Sequence, residues 1–493
     1  MRGTYCFTNP THHIDLSDRS LKSHLQKEEV MSNSISRRKF LSLSAGAAAA
    51  AALAACNPAA PAQQAQQAPA PSGAQPAAQV PPQTGGPKGQ FKMWQTTIET
   101  TIDIAHYNSF YDYFDKAYPN IKMEKEFINY GDMLDKIRVA VRGGGGPNVA
   151  TLPILWGVEF AANKFLRPLK PEDLGYTKDT FWPKALNSNK WDGETYGVPT
   201  NNECMALIYN KELFNKAKLD PEKGPETWEQ LAEYSKKIKM DLNIAGFGMV
   251  ARLNHGNTPF RFMPLVWAYG GGALDEADDN PNMKTVRLNT PETKAALKLA
   301  YKMYAEDKSV PTGALDNTQT ENQELFINEK VAMMISHPSE YAVILEKKPD
   351  IAAKMNYVLI PKGPVRRAAV YGGSNIHIFK STTDEQMPAV KEYIKVRTNP
   401  EWSNRLAWFS NPGNREGFKN SWFELRKAQT KFLNITTQML EFGIPFPVIP
   451  EATEIMNLIV PTMIHNALTG KMSVDAAADD AAKKTSEVLA RRK

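Results

Sequence analysis

Phe91-Lys92-Met93-Trp94-Gln95, the run Ile104 to Ala117, and Ile121-Lys122-Met123-Glu124-Lys125-Glu126-Phe127 decide the architecture of this 493-residue chain. The first run is a short strand. The second repeats apolar residues at helical spacing, and the third resumes a strand after the Pro119-Asn120 turn. A β-α-β opening predicts an α/β fold.

The pattern continues. Tyr130 to Val141 reads as a helix stopped by Gly143 to Gly146 and Pro147, and the apolar run Val149 to Leu155 suits a buried parallel strand. Further helices are expected at Thr227 to Lys239, Pro291 to Ala305, Met387 to Thr398 and Val474 to Leu489. Strands are expected at Ile208-Tyr209, Ala332 to Ile335, Tyr357 to Ile360 and Asn375 to Phe379. The folded part, Phe91 to Lys493, holds about 400 residues, which exceeds one ordinary core and suits two lobes.

The other end of the chain is organised differently. Ser36-Arg37-Arg38-Lys39-Phe40-Leu41 precedes an Ala-rich apolar run that closes in Leu53-Ala54-Ala55-Cys56. Paired arginines followed by an apolar stretch too short to span a bilayer make a Tat-type export signal. The small residues before Cys56 resemble a lipobox, so Cys56 is the expected lipidation site and the membrane attachment. Residues 1–30 fit neither signal nor fold and are expected to be untranslated, with Met31 as the start, or disordered. Asn57 to Gln90 is Ala, Pro, Gln and Gly with almost no large apolar residue, which reads as a tether.

The formal charge is +6, and half of it lies in the first 56 residues, so nucleic acid is not an expected partner. Cys6 precedes Met31 and Cys56 carries lipid, which leaves Cys204 without a bridging partner. The five histidines after Cys56 are far apart in sequence and no CxxC occurs, so neither a metal nor a cofactor is expected. The tetraglycine at Gly143 lacks a following Lys-Ser/Thr. Gly372-Gly373-Ser374-Asn375-Ile376 lacks the last glycine of a nucleophile elbow. No catalytic residue is assigned.

Two motif groups carry a family resemblance. One is Gly197-Val198-Pro199, Ala206-Leu207-Ile208-Tyr209-Asn210-Lys211-Glu212-Leu213-Phe214 and Glu226-Thr227-Trp228-Glu229-Gln230-Leu231. The other is Phe326-Ile327-Asn328-Glu329-Lys330-Val331-Ala332-Met333-Met334 with Gly372-Gly373-Ser374-Asn375-Ile376-His377-Ile378. In order and spacing they resemble the family 1 extracellular solute-binding proteins, which include the maltodextrin-binding protein. The resemblance implies a two-lobed periplasmic-binding-protein fold of class II type, with crossovers near Pro199 to Cys204 and Tyr371 to Asn375. It implies a monomer that closes over a small-molecule ligand, expected to be a sugar, and passes it to the transmembrane subunits of an ABC permease. The expected division is 1–30, signal 31–55, tether 56–90, a first lobe of 91–201 with about 374–420, and a second of 202–373 with about 421–493.

A sugar presents C–H faces and hydroxyl edges, so its site needs aromatic planes beside carboxylates and amides. Trp94 and Gln95, Tyr130, and Trp156 follow successive strands and are first-lobe candidates. The resemblance places a hinge carboxylate at Glu203, beside Asn202, and aromatics at Phe260 and Trp267; Gly373, Ser374 and Asn375 complete the set. Ser336-His337-Pro338-Ser339 stands where maltodextrin binders carry Asn-Gly-Pro-Trp, which argues against a long maltodextrin; His337 either reaches the ligand or caps a crossover. Two alternatives stay open: the same receptor role for a cationic solute such as a polyamine, and a lipid-anchored glycosidase or lyase, whose paired carboxylates sequence does not reveal.

Overall fold

The computed structural model describes residues 85–275 and 283–492. The proposed start, signal and Cys56, and the tether as far as residue 84, lie outside the described residues.

The β-α-β opening consists of β1 (Gly89–Thr96), α1 (Thr101–Ala117) and β2 (Ile121–Ile128). The two strands are parallel, with Gly89 opposite Ile121 and Thr96 opposite Ile128. Phe91 and Met93 pack into one cluster with Phe110 and Phe114 of α1, whereas Trp94 packs on the other face with Met133 and Ile137 of α2 (Tyr130–Arg142). Helix α1 begins earlier than its apolar periodicity predicts because the Thr100 hydroxyl accepts the Asp103 amide and caps it. Strand β3 (Val149–Pro153) is parallel to β1 and stops before Ile154 and Leu155, where the chain turns.

The short β4 (Leu166–Arg167) leads to β5 (Val198–Glu203) and β6 (Ala206–Asn210), separated only by Cys204 and Met205. These two residues carry the chain from one sheet to another. Beyond them lie β7 (Ala245–Gly248), α3 (Asn257–Ala268), β8 (Val331–Ser336), α4 (Pro338–Lys347) and β9 (Met355–Val358), then β10 (Gly372–Phe379), α5 (Met387–Arg397) and β11 (Asn411–Pro412). The large sheet has the order β11-β5-β10-β3-β1-β2 with β4 beside β10, and the small one the order β9-β6-β8-β7. The sheets are mixed rather than parallel: β10 runs antiparallel to β3 and β5, and β6 antiparallel to β8 and β9. Strands that pass from one sheet to the other enter from the opposite end, which reverses their direction.

Helix α3 was not legible from periodicity. It is buried nearly all round and contains Pro264, so it shows no polar face. The expected helix Pro291 to Ala305 stays α-helical only over Pro291–Tyr301 and widens into a π-turn at Lys302–Glu306. The C-terminal helices Val460–Leu468 and Val474–Ala490 pack against Pro291–Tyr301, and Lys431–Met439 packs against α4, β6 and β9.

Candidate functional site

A cavity of about 330 Å³ lies at the carboxyl ends of β1, β2 and β3 and is closed by residues that follow the small sheet. Loops at this end of parallel strands are free of ladder hydrogen bonds, and side chains there can serve a ligand. Gln95, Tyr130, Glu203, Phe260, Gly373 and Ser374 of the expected set line it.

Trp94, Trp156, Asn202, Trp267 and Asn375 do not line it, and each has a physical reason. Neighbours on a strand point to opposite faces. Gln95 therefore meets the cavity while Trp94 is buried beneath Lys136, whose Nζ stands 5.1 Å above the ring. Asn201 and Glu203 likewise face the cavity, while the Asn202 amide donates to the Pro412 carbonyl at 2.9 Å. Ser374 faces it, and the Asn375 amide donates to Ser188 Oγ at 3.0 Å. Trp156 and Trp267 sit one layer below. Trp156 supports Tyr130 at 5.2 Å, and Trp267 lies 6.0 Å from Phe446, which packs edge-on against Phe260 at 4.8 Å.

Residues that the sequence reading missed form the charged wall. Arg261 of α3 donates to Glu340 of α4 at 2.5 Å, with both side chains buried, and its other terminal nitrogen donates to Asn257 at 2.9 Å. The same Glu340 carboxylate accepts the His337 amide at 2.7 Å, closing a capping box on α4. A lone arginine inside the apolar stretch Phe260 to Val266 was the available signal for this wall.

His337 Nδ1 accepts the Ser339 amide at 3.2 Å, and Nε2 lies 2.7 Å from Glu203 Oε1. Burial holds the imidazole down, but the charge and hydrogen bond of Glu203, aided by Glu340 and opposed by Arg261, lift it above its ordinary value. Burial pushes the Tyr130 phenol up to about 12, with Arg261 pulling it down and Glu203 pushing it further up.

At the far end, burial raises Asp103 to about 6, against the lowering effect of the Thr100 hydroxyl, which donates to it at 2.6 Å. The loop Leu406 to Ser410 closes this end. Arg426, fully buried, organises that loop by donating to the Trp408 and Ser410 carbonyls at 2.8 and 2.9 Å, and also to Ala407 and Asn404. Burial brings this guanidinium down to about 9, with Asp103 acting the other way. Trp408 and Phe409 thereby join Tyr130 and Phe260 as aromatic walls.

The arrangement offers aromatic planes, carboxylates, amides and hydroxyls around a space of small-ligand size. Among the described residues, no group of three or more His, Cys, Asp or Glu is placed to hold a metal, and no helix is long and apolar enough to cross a membrane.

Residues 99–403 match the family described as bacterial extracellular solute-binding protein. A binding protein of Brucella abortus is 26% identical over 409 residues, covering 79% of this chain and 93% of that one. The sn-glycerol-3-phosphate-binding periplasmic protein of Shigella dysenteriae is 23% identical, covering 74% and 84%. Among solved structures, the ABC transporter solute-binding protein of Thermotoga lettingae bound with α-D-tagatose superposes with a TM-score of 0.70 at 23% identity, over 81% of this chain and 99% of that one. The fold is thus the two-lobed one expected of such proteins, and these relatives are binding proteins rather than enzymes. The chain belongs to the family of bacterial extracellular solute-binding proteins.

Proposed function

We propose that this chain is the receptor of an ABC importer and that it captures a short, uncharged carbohydrate in the cavity between its two sheets. The carrying observation is the cavity lining: aromatic Tyr130, Phe260 and Trp408 stand beside the acceptors Glu203 and Asn201 and the hydroxyls of Thr200 and Ser374. Such a lining serves both the face and the edge of a sugar ring.

Charge argues against an anion such as the one named for the Shigella relative. Glu99, Asp103, Glu203 and Glu340 line the cavity against Arg261 and Arg397, and Arg261 is already paired with Glu340. A phosphate would meet more carboxylates than free cations. The same excess favours a second reading, a cationic organic solute such as a polyamine.

The export signal and Cys56 support a receptor tethered by lipid to the outer face of the cytoplasmic membrane, and the tether expected over 56–90 stops by residue 88, because Gly89 and Gln90 already pair with Ile121 and Lys122. The crossing at Cys204 and Met205 and the return before Gly372 support two lobes, with the expected boundaries shifted by two residues because Asn202, Glu203, Gly372 and Gly373 pair within the large sheet: about 89–203 with 372–420, and about 204–371 with 421–493.

A thermal-shift screen tests the ligand class. Saturable stabilisation by short neutral sugars, with none by sn-glycerol-3-phosphate, is expected. Stabilisation by spermidine alone moves the assignment to the second reading, and stabilisation by the phosphate alone refutes both. Replacing Cys56 by Ala is expected to release the exported protein from membranes, and full retention contradicts the anchor.

A further inference from the structure

His337 does more than end a strand. It follows β8, opens α4 and faces three charged groups: Glu203 at the end of β5, Glu340 on α4 and Arg261 on α3. As helix cap, it needs only Nδ1, which takes the Ser339 amide at 3.2 Å and lies 2.9 Å from the Ser339 hydroxyl. A ring nitrogen that accepts an N–H carries no proton, so the neutral ring is protonated at Nε2 and donates to Glu203 Oε1 at 2.7 Å.

That second contact ties a turn leaving the small sheet to the last residue of a strand in the large one. Asn or Ser, the ordinary caps, would hold the helix without reaching Glu203. Glu203 lines the cavity; with Oε1 taken by His337, its other oxygen has the Asn201 amide as its donor only at the long distance of 3.4 Å.

We infer that His337 is a positioning residue for ligand capture: it holds Glu203 by one oxygen across the hinge and turns the other toward a ligand hydroxyl. The inference rests on the carbohydrate reading of the cavity. Protonation of the ring keeps the donor to Glu203 and turns Nδ1 from the acceptor of the Ser339 amide into a donor facing the Ser339 hydroxyl at 2.9 Å, so the contact to Glu203 survives mild acid while the amide cap does not.

Two substitutions separate the roles. In His337→Asn the side-chain oxygen replaces Nδ1 as cap and the reach to Glu203 is lost; in His337→Gln the amide keeps the donor and the cap is lost. Titrating maltose and D-tagatose by calorimetry, the account expects H337N to bind whichever sugar the wild type binds about tenfold more weakly at an unchanged melting temperature. H337Q is expected within about twofold of the wild type. H337N binding like the wild type, or H337Q weakened as much as H337N, overturns the role.

A ligand-free readout accompanies it. In nitrogen-labelled protein the His337 ring is expected to titrate above about 6.5, as the Nε2–H tautomer when neutral, and to fall below that value in Glu203→Gln. A His337 titration unmoved by E203Q overturns the pairing even if neither sugar binds, an outcome that would by itself refute only the carbohydrate reading.

Discussion

Arg261 and Glu340, 79 positions apart, meet at 2.5 Å with both side chains buried, and the pair joins α3 to the first turn of α4. The desolvation of two charges is offset in part by further partners: Asn257 for the guanidinium, and the His337 amide, on the same Oε2, for the carboxylate. Glu340 Oε1 and Arg261 Nε are buried without a hydrogen-bond partner among the described residues. Removing one charge leaves the other stranded.

Glu340→Ala is therefore expected to destabilise the ligand-free protein by about 3–5 kcal/mol in urea unfolding. The double change Arg261→Met with Glu340→Leu should cost distinctly less than E340A alone, because no charge remains unpaired. Equal losses would show that the pair acts through packing and not through charge.

Gly373 adopts φ 125°, and a Cβ there would stand 2.3 Å from the Asn201 carbonyl oxygen. Gly373→Ala is expected to cost about 2 kcal/mol or more from backbone strain alone and to weaken ligand binding as well, since Asn201, Gly373 and Ser374 line the cavity together. Wild-type stability in this variant would remove the glycine from the argument.

How much of this was legible in sequence differs by level. The strands and helices of the β-α-β opening read directly, because period-two and period-3.6 patterns record which face is buried. The crossings at Glu203 and Gly372 came with the family motifs. The residue-level site was half legible. Within Trp94-Gln95, Asn202-Glu203 and Ser374-Asn375, one neighbour faces the cavity and the other the core, and the pleat direction that decides between them is set by the register of the whole sheet. Arg261 left a trace as the one charge in an apolar stretch, but Glu340 and Trp408 reach the same cavity through long-range packing, which no local pattern encodes.

His106 and His377 give a pH signature. Burial lowers both to about 4, with Arg405 and Arg426 adding to the effect at His106, while the Tyr196 carbonyl, which accepts from His377 Nδ1, opposes it. A depressed folded pKa contributes stability that is present above the unfolded value near 6.5 and lost as pH falls toward 4. For His377 this amounts to about 3 kcal/mol. Urea unfolding at pH 7 and 4 should show the wild type losing more stability than His377→Asn by roughly that amount. Parallel losses would mean that the ring is already charged or solvated.

Asp103 works in the opposite direction. Its folded value of about 6 lies above the usual 3.8, so its contribution is present at low pH and lost as pH rises through 6. Asp103→Asn is expected to stabilise the protein at pH 7 and to leave it unchanged near pH 3.5, as read by thermal unfolding. A variant destabilised at pH 7 would show that the carboxylate is needed in its ionised form.

The central claim is that the space between the two sheets holds one neutral sugar without altering it. Isothermal titration of maltose and D-tagatose into the wild type, Glu203→Ala and Phe260→Ala, with chromatography of the recovered sugar, tests it most directly. The account predicts one site per chain and unchanged sugar. It also predicts affinity reduced about tenfold or more in E203A and several-fold in F260A, with both variants folded. Equal affinity in all three proteins, or a sugar recovered as cleaved product, would contradict it.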